Sequence, residues 1–388
     1  MKRFILTLGS WQIIMVTAAL RQHQISRPSG DEDYLVLHGT NHSQEMRHTM
    51  QQLAGVLWDW KEIVWIDDLF PSIVTTHALP NIRERLIGRL EHLYPDEIWT
   101  CKPFDSDVKA IFEIFPESTI ILYEDGLHSY VPQPYAGGLQ PVPLGQPLTS
   151  IQQIARWFTY RGDYLATPGI YSRHVARFER AHLFLARRLS VPDYIRHATL
   201  VNINAELLLE SIRLVQRHID LSIISPPENG PDSGRVLVLG QCFARWNLMD
   251  WQEELTLYRA IILKLYEQGY SVLWKEHPRS AHPFFPSLAQ SLSSEQLKKL
   301  DIPFTYPIEL FINQLDIEAC VSAMSTSLFY LSELFRIPAY SFTYKIQIPF
   351  WYTDFWRMLR LVDKHIPAYE TLIASAPEPT QRAQSLVE

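Results

Sequence analysis

The sequence predicts an α/β protein built from two Rossmann-like domains, and three observations carry that reading. Apolar strand-like runs alternate with helix-patterned runs along most of the chain, as in a parallel sheet covered by helices. The chain has 388 residues, and single hydrophobic cores stop growing near roughly 250–300 residues. A break rich in Pro, Gly and Ser runs from Ser222 to Gly234, with Pro226-Pro227, Asn229-Gly230-Pro231 and Ser233-Gly234. The expected domains are residues 1–225 and 235–388, joined by a linker at 226–234. The final helical segment is a candidate to pack back on the N-terminal domain.

Each element has a local reason. Phe4 to Leu8 reads as the first strand, Gly9-Ser10 as a strand-to-helix turn, and Trp11 to Gln22 as a helix with its apolar residues on one side. Met1-Lys2-Arg3 and Ala18-Ala19 superficially resemble a secretion signal, but the polar Gly9-Ser10-Trp11-Gln12 interrupts the apolar stretch. Strands follow at Tyr34 to Gly39, Glu62 to Ile66, Glu97 to Cys101 and Thr119 to Tyr123, alternating with helices at Ser43 to Asp59, Asn81 to Tyr94 and Asp107 to Phe115. Leu127 to Gln146 is rich in Pro, Gly and Tyr and reads as a long functional loop. Past the linker, a strand at Arg235 to Gly240, a helix at Asp250 to Gln268 and a strand at Ser271 to Lys275 open the second domain.

Composition narrows the partners. The chain is 47% hydrophobic, 20% charged and 12% aromatic, as in a globular enzyme. Its net charge of −7 argues against a nucleic-acid duplex, whose affinity comes mainly from Lys and Arg neutralising phosphates. Cys101, Cys242 and Cys320 are widely spaced and form no CxxC pair, which indicates neither a disulfide framework nor a zinc site and suits a reducing cytoplasm. No run approaches the roughly 18 apolar residues that span a bilayer, so any contact with an inner membrane is expected to be peripheral.

Three clusters carry chemistry. Thr119 to Tyr123 ends abruptly in Glu124-Asp125-Gly126, placing two carboxylates at the mouth of a buried strand. Side chains alternate faces along a strand, so one of the two faces the site. Such a carboxylate is suited to remove a proton from an alcohol nucleophile; the competing reading is an acidic turn. Ser271 to Lys275 runs into His277-Pro278, where the proline biases His277 towards extended backbone and holds its imidazole at a second strand mouth. Imidazole both binds a phosphate and protonates a departing oxygen; the competing reading is a structural histidine. Ser325-Thr326 precedes an apolar helical pattern, offering hydroxyls and amide donors at a helix N-terminus, as a phosphate site or as an ordinary cap. No GxGxxG or GxxxxGK[ST] string is present. Asp31-Glu32-Asp33 and Asp105-Ser106-Asp107 match the Asp-x-Asp metal signature formally, yet read as exposed loop or helix-start residues.

In their order, these three clusters resemble the bacterial sialyltransferases, whose pattern is [Asp/Glu]-[Asp/Glu]-Gly, then His-Pro, then Ser-[Ser/Thr]. The context Lys275-Glu276-His277-Pro278 is most similar to that of the capsule polysialyltransferases. The resemblance implies a GT-B glycosyltransferase, two Rossmann-like domains facing a central cleft, and inverting transfer from CMP-sialic acid or a related CMP-sugar to a glycan acceptor without a metal or other cofactor. It implies Glu124 as general base, Asp125 as a supporting carboxylate and His277 as the residue that contacts and protonates the CMP phosphate. Gly126, Gly240, Gln241, Lys275, Pro278, Ser325 and Thr326 are the implied donor-binding set. The chain departs from the group in being net acidic where a polyanionic acceptor calls for a basic groove, so a short or neutral acceptor stays open. So do a Kdo- or legionaminic-type CMP-sugar, a CDP-glycerol donor, and a non-catalytic glycan-binding protein.

Overall fold

Phe4, Ile5 and Leu6 are wholly buried in the first strand, so both faces of the sheet they enter are covered. The computed structural model of the protein describes residues 1–24, 31–38, 42–69, 79–103, 105–131, 178–219, 234–246, 248–278, 280, 282–346 and 353–375. Most of the expected loop (132–146) and most of the expected linker (226–233) lie outside the described residues. The chain divides into two units, Met1–Val215 and Gln216–Glu388.

Among its described residues the first unit holds seven parallel strands: β1 (Lys2–Thr7), β2 (Glu32–Leu37), β3 (Glu62–Trp65), β4 (Glu97–Thr100), β5 (Thr119–Tyr123), β6 (Phe178–Leu183) and β7 (Thr199–Asn202). Their order is β3-β2-β1-β4-β5-β6-β7. Helices α1 (Ser10–Gln24), α2 (Gln44–Leu57), α3 (Leu79–Leu90) and α4 (Ser106–Ile114) connect the first five strands, and α5 (Ala205–Gln216) follows β7. Helix α2 shows the expected one-sided pattern: Met50, Leu53, Ala54 and Leu57 are buried, and Ser43 caps the start by accepting from the Met46 amide at 3.1 Å. Helix α1 corrects the one-sided expectation. It is buried without a break from Ile13 to Leu20, because it packs on β1 and β5 and against α2.

Asp31 and Asp33 also depart from expectation. Asp33 is buried on β2, where Arg3 Nε and NH2 donate to its two oxygens at 2.6 and 2.9 Å and Trp58 Nε1 donates at 2.8 Å. Asp31 accepts from the N-terminal amine at 3.0 Å. The string that resembles a metal signature is thus half core ion pair and half chain-end anchor.

The second unit repeats the plan with five parallel strands, β8 (Arg235–Leu239), β9 (Ser271–Lys275), β10 (Leu297–Lys299), β11 (Ala319–Ser322) and β12 (Ala339–Ser341), in the order β10-β9-β8-β11-β12. Its helices are α6 (Trp251–Glu267), α7 (Phe285–Ala289), α8 (Ser327–Phe335), α9 (Thr353–His365) and α10 (Tyr369–Ser375). Asp250 and Glu253 form a capping box that starts α6. The core includes Val236, Tyr258, Ile262 and Trp274, together with Leu359 of α9 and Tyr369 and Leu372 of α10. In both sheets the first strand is third in the order, and the order reverses beside it, between β1 and β4 and between β8 and β11. Ligands of doubly wound sheets bind beyond the carboxyl ends of the strands at such switch points.

Candidate active site

The carboxylate pair divides at the mouth of β5, as strand alternation requires. Glu124 turns inward and is fully buried. Its Oε2 accepts from the Phe184 amide at 2.6 Å, from the Leu185 amide at 3.0 Å and from the Tyr130 hydroxyl. An anionic oxygen filled by three donors has the surroundings of a structural acceptor. The sequence expectation had this residue facing the site. Asp125 instead joins a polar cluster: Lys102 Nζ lies 2.6 Å from its Oδ2, Gln12 Nε2 donates to Oδ1 at 2.6 Å, and its own amide donates to Ser129 Oγ at 2.8 Å. Gly126 follows at φ 78°, a left-handed conformation that favours glycine and turns the chain sharply out of the strand.

Four elements converge beside Asp125. Gln12 comes from α1, Lys102 from the end of β4, His38 from the end of β2 and Asp107 from the first turn of α4. Burial disfavours the Lys102 ammonium, but Asp125 and Asp105 outweigh it and raise its pKa above the ordinary value. The same contest raises the pKa of His38, whose Nδ1 lies 2.8 Å from Asp107 Oδ2: burial opposes the imidazolium, and Asp107 overcomes it. His128, in the turn after Gly126, is pushed down to about 3 by Lys102 and by burial and stays neutral. His38, Asp105 and Asp107 place one potential ligand atom each within 4.8 Å of one another, the arrangement a cation would need, among the described residues. Asp105 is exposed, as expected for a helix start, whereas Asp107 is buried against His38. The His38–Asp107 bond and the Lys102 ammonium already balance much of this charge.

In the second unit, His277 follows the end of β9 and Ser325-Thr326 follow the end of β11, with β8 between the two strands. His277 is half-buried and its carbonyl accepts from the Ser280 amide at 3.0 Å, while Pro278 is exposed. Ser325 Oγ accepts from the Ser327 amide at 3.2 Å, and Thr326 makes no capping bond to α8. Gly240 and Gln241, expected at the donor, have internal duties. A Cβ on Gly240 would lie 2.9 Å from the Trp274 ring and 3.3 Å from the Lys275 carbonyl. Gln241 is buried; its amide N–H donates to Tyr258 Oη at 2.6 Å and its Nε2 to the Gly240 carbonyl and Ser322 Oγ at 3.1 and 3.2 Å. Lys275 is buried at the end of β9, and burial lowers its pKa to about 8 against the opposing pull of Glu309 and Glu276.

A profile of the alpha-2,8-polysialyltransferase family matches residues 3–344. The chain belongs to the alpha-2,8-polysialyltransferase family. No protein of curated function matches it in sequence. Among solved structures it is similar to the GT-B domain of a sialyltransferase from Photobacterium damselae, at 13% identity and TM-score 0.43 over 85% of this chain and 88% of that one. It is similar at TM-score 0.49 to a UDP-GlcNAc 2-epimerase from Methanocaldococcus jannaschii (13% identity, 88% and 83% covered) and to a calicheamicin glycosyltransferase (12% identity, 98% and 91% covered). As a polysialyltransferase-family protein with two tandem Rossmann-like sheets, it is a glycosyltransferase of the GT-B class.

Sequence reasoning missed Gln12, His38, Lys102, His128 and Glu309 in this family member. A signal existed for two of them: His38 and Lys102 lie within two residues of the end of an apolar strand, as Glu124-Asp125 and His277 do. Glu309 lies in a short 3-10 turn, Ile308–Leu310, and nothing local marks it.

Proposed function

We propose that this protein transfers a nonulosonic acid of the sialic acid class from a CMP-activated donor to a hydroxyl of a glycan acceptor, with inversion and without a metal. The observation that carries the reading is the side chain at the mouth of β5: Asp125, a carboxylate held from both sides by Lys102 and Gln12. In this reading Asp125, not Glu124, takes the proton from the acceptor hydroxyl as that oxygen attacks the anomeric carbon. The bond from that carbon to the phosphate oxygen of CMP breaks on the opposite face. His277 donates a proton to the departing phosphate, and the Ser325-Thr326 turn receives its oxygens at the start of α8. Preorganised donors of this kind stabilise a leaving phosphate where charge develops. Cys101, Cys242 and Cys320 are buried free thiols, which supports a reducing cytoplasmic setting. Among the described residues no helix is long and apolar enough to cross a membrane.

The test is a donor screen scored by nucleotide release, with CMP-sialic acid, CMP-Kdo, a CMP-legionaminic-type sugar and CDP-glycerol, each with and without an oligosialic acceptor. Acceptor-dependent CMP release from CMP-sialic acid is the expected result. Release only from CDP-glycerol would replace the reading with glycerophosphate transfer, and glycan binding with no release from any donor would make the protein non-catalytic.

A further inference from the structure

Asp125 is held from two sides by groups of different kind. Gln12 Nε2 donates to its Oδ1 and Lys102 Nζ lies against its Oδ2, both at 2.6 Å. A neutral amide is enough to orient a carboxylate. An ammonium also favours the charged form of its partner, which works against a base that must take up a proton. Orientation alone does not account for Lys102.

An ammonium has three donors. Among the described residues Lys102 Nζ pairs with Asp125 and with no other carboxylate, and its side chain keeps 19% of its surface exposed against 5% for Asp125. A molecule that reaches the base from solvent thus meets the ammonium too. It meets a full charge, because burial opposes the ammonium but Asp125 and Asp105 outweigh it. No second lysine or arginine pairs with Asp125 among the described residues. His128 is held neutral by Lys102 and by burial, and His38 is engaged with Asp107 at 2.8 Å. Gln12 lies in the first turn of α1, whose dipole turns its positive end to the same mouth.

We infer that Lys102 selects the acceptor: its ammonium, while still bonded to Asp125, takes the carboxylate of an acidic sugar at the acceptor terminus and so sets a hydroxyl of that sugar against Asp125. The inference rests on the proposed transfer to a glycan hydroxyl and names the acceptor class that reading left open. A nonulosonic acid suits the pair, since it carries its carboxylate and its hydroxylated side chain on the two carbons that flank the ring oxygen. The lysine keeps its proton throughout and exchanges only hydrogen bonds. A partly buried cation also fits a chain of net charge −7. Salt screens a sheltered pair less than an exposed one, so one such contact recognises an acidic terminus without a basic groove.

The experiment measures kcat/KM of the full chain with CMP-sialic acid as donor and two acceptors, a lactoside capped by one sialic acid and the same compound with that carboxylate converted to its amide. The native chain should prefer the carboxylate by about 10- to 100-fold, the worth of a hydrogen bond between charged groups. Lys102→Met should bring the two acceptors within about threefold of each other, mainly by raising KM for the carboxylate. Lys102→Gln, which can still donate to Asp125, should do the same, and it decides the matter if the methionine variant does not fold. Gln12→Leu loosens Asp125 without touching the ammonium, so it should slow both acceptors together and keep the preference. Equal use of the two acceptors by the native chain, a preference that survives the lysine substitutions, or one that vanishes in Gln12→Leu overturns the lysine assignment and leaves the transferase reading standing. Absence of CMP release with either acceptor overturns both.

Discussion

Exchanging the two acidic side chains at the mouth of β5 separates a structural carboxylate from a reacting one. Asp125→Asn keeps the shape and removes the proton acceptor, a loss of about 10²–10⁴-fold in turnover, or about 2.7–5.5 kcal/mol of barrier. CMP affinity should stay near native. Glu124→Gln acts differently. Three donors converge on its Oε2; the amide oxygen still accepts them, but each bond falls from about 1.5–3 kcal/mol for a charged acceptor to about 0.5–1.5 kcal/mol for a neutral one. Taking the smaller difference, about 1 kcal/mol per bond, the summed loss is at least about 3 kcal/mol. For a unit that spans Met1–Val215, at about 2–4 °C per kcal/mol, that lowers Tm by about 6–12 °C. The assay pairs acceptor-dependent nucleotide release, measured well below the melting range, with thermal unfolding. A folded Glu124→Gln that is inactive beside a fully active Asp125→Asn would refute the reasoning and return the base to Glu124.

The remaining expectations concern donor, metal and pH. His277→Ala should appear mainly in kcat, with its deficit smallest at acidic pH where solvent partly replaces the proton, and Ser325→Ala/Thr326→Ala mainly in donor KM; steady-state kinetics across pH separates them. Activity should survive excess EDTA, because the His38–Asp107 bond and Lys102 already balance the cluster; loss with recovery on adding Mg²⁺ or Mn²⁺ would make Asp105 and Asp107 ligands. His38 has a raised pKa in the fold, so its pairing with Asp107 stabilises fully below the unfolded value of 6.5 and fades as pH rises through the folded value. The Tm gap between native protein and His38→Gln should therefore be widest near pH 6 and narrow in alkaline buffer; a gap that widens with pH would contradict the pairing.

Much of the framework is legible because the strands that build it are uniformly apolar. Thr119 to Tyr123 and Ser271 to Lys275 lie where their apolar runs put them, and the helices between strands follow their caps. Strand β6 is harder to read, since Phe-Glu-Arg-Ala-His-Leu carries three polar residues. Arg180 is tolerated by its 2.6 Å contact with Glu97, and the His182 ring packs on Trp99 at 4.8 Å; both partners lie far away in sequence. Strand β7 sits at the sheet edge with Thr199 and Leu200 exposed, so burial imposes no pattern on it. The same limit governs the site. Alternation says that Glu124 and Asp125 diverge, but which one turns inward depends on amides at Phe184 and Leu185 and on Lys102 from a neighbouring strand.

The three bonds to Glu124 also act as a staple on the chain's connectivity. Two of them, from the Phe184 and Leu185 amides, join the end of β5 to the turn after β6 across separations of 60 and 61 residues, and the third, from Tyr130, ties down the turn that follows Gly126. One buried carboxylate thus fastens the end of one strand to the end of its neighbour. The register of β5 beside β6 is therefore fixed by a contact at the strand ends themselves, in addition to the ladder between them. Removing that one side chain would loosen two strand ends at once, which is why a carboxylate with no access to solvent is kept there.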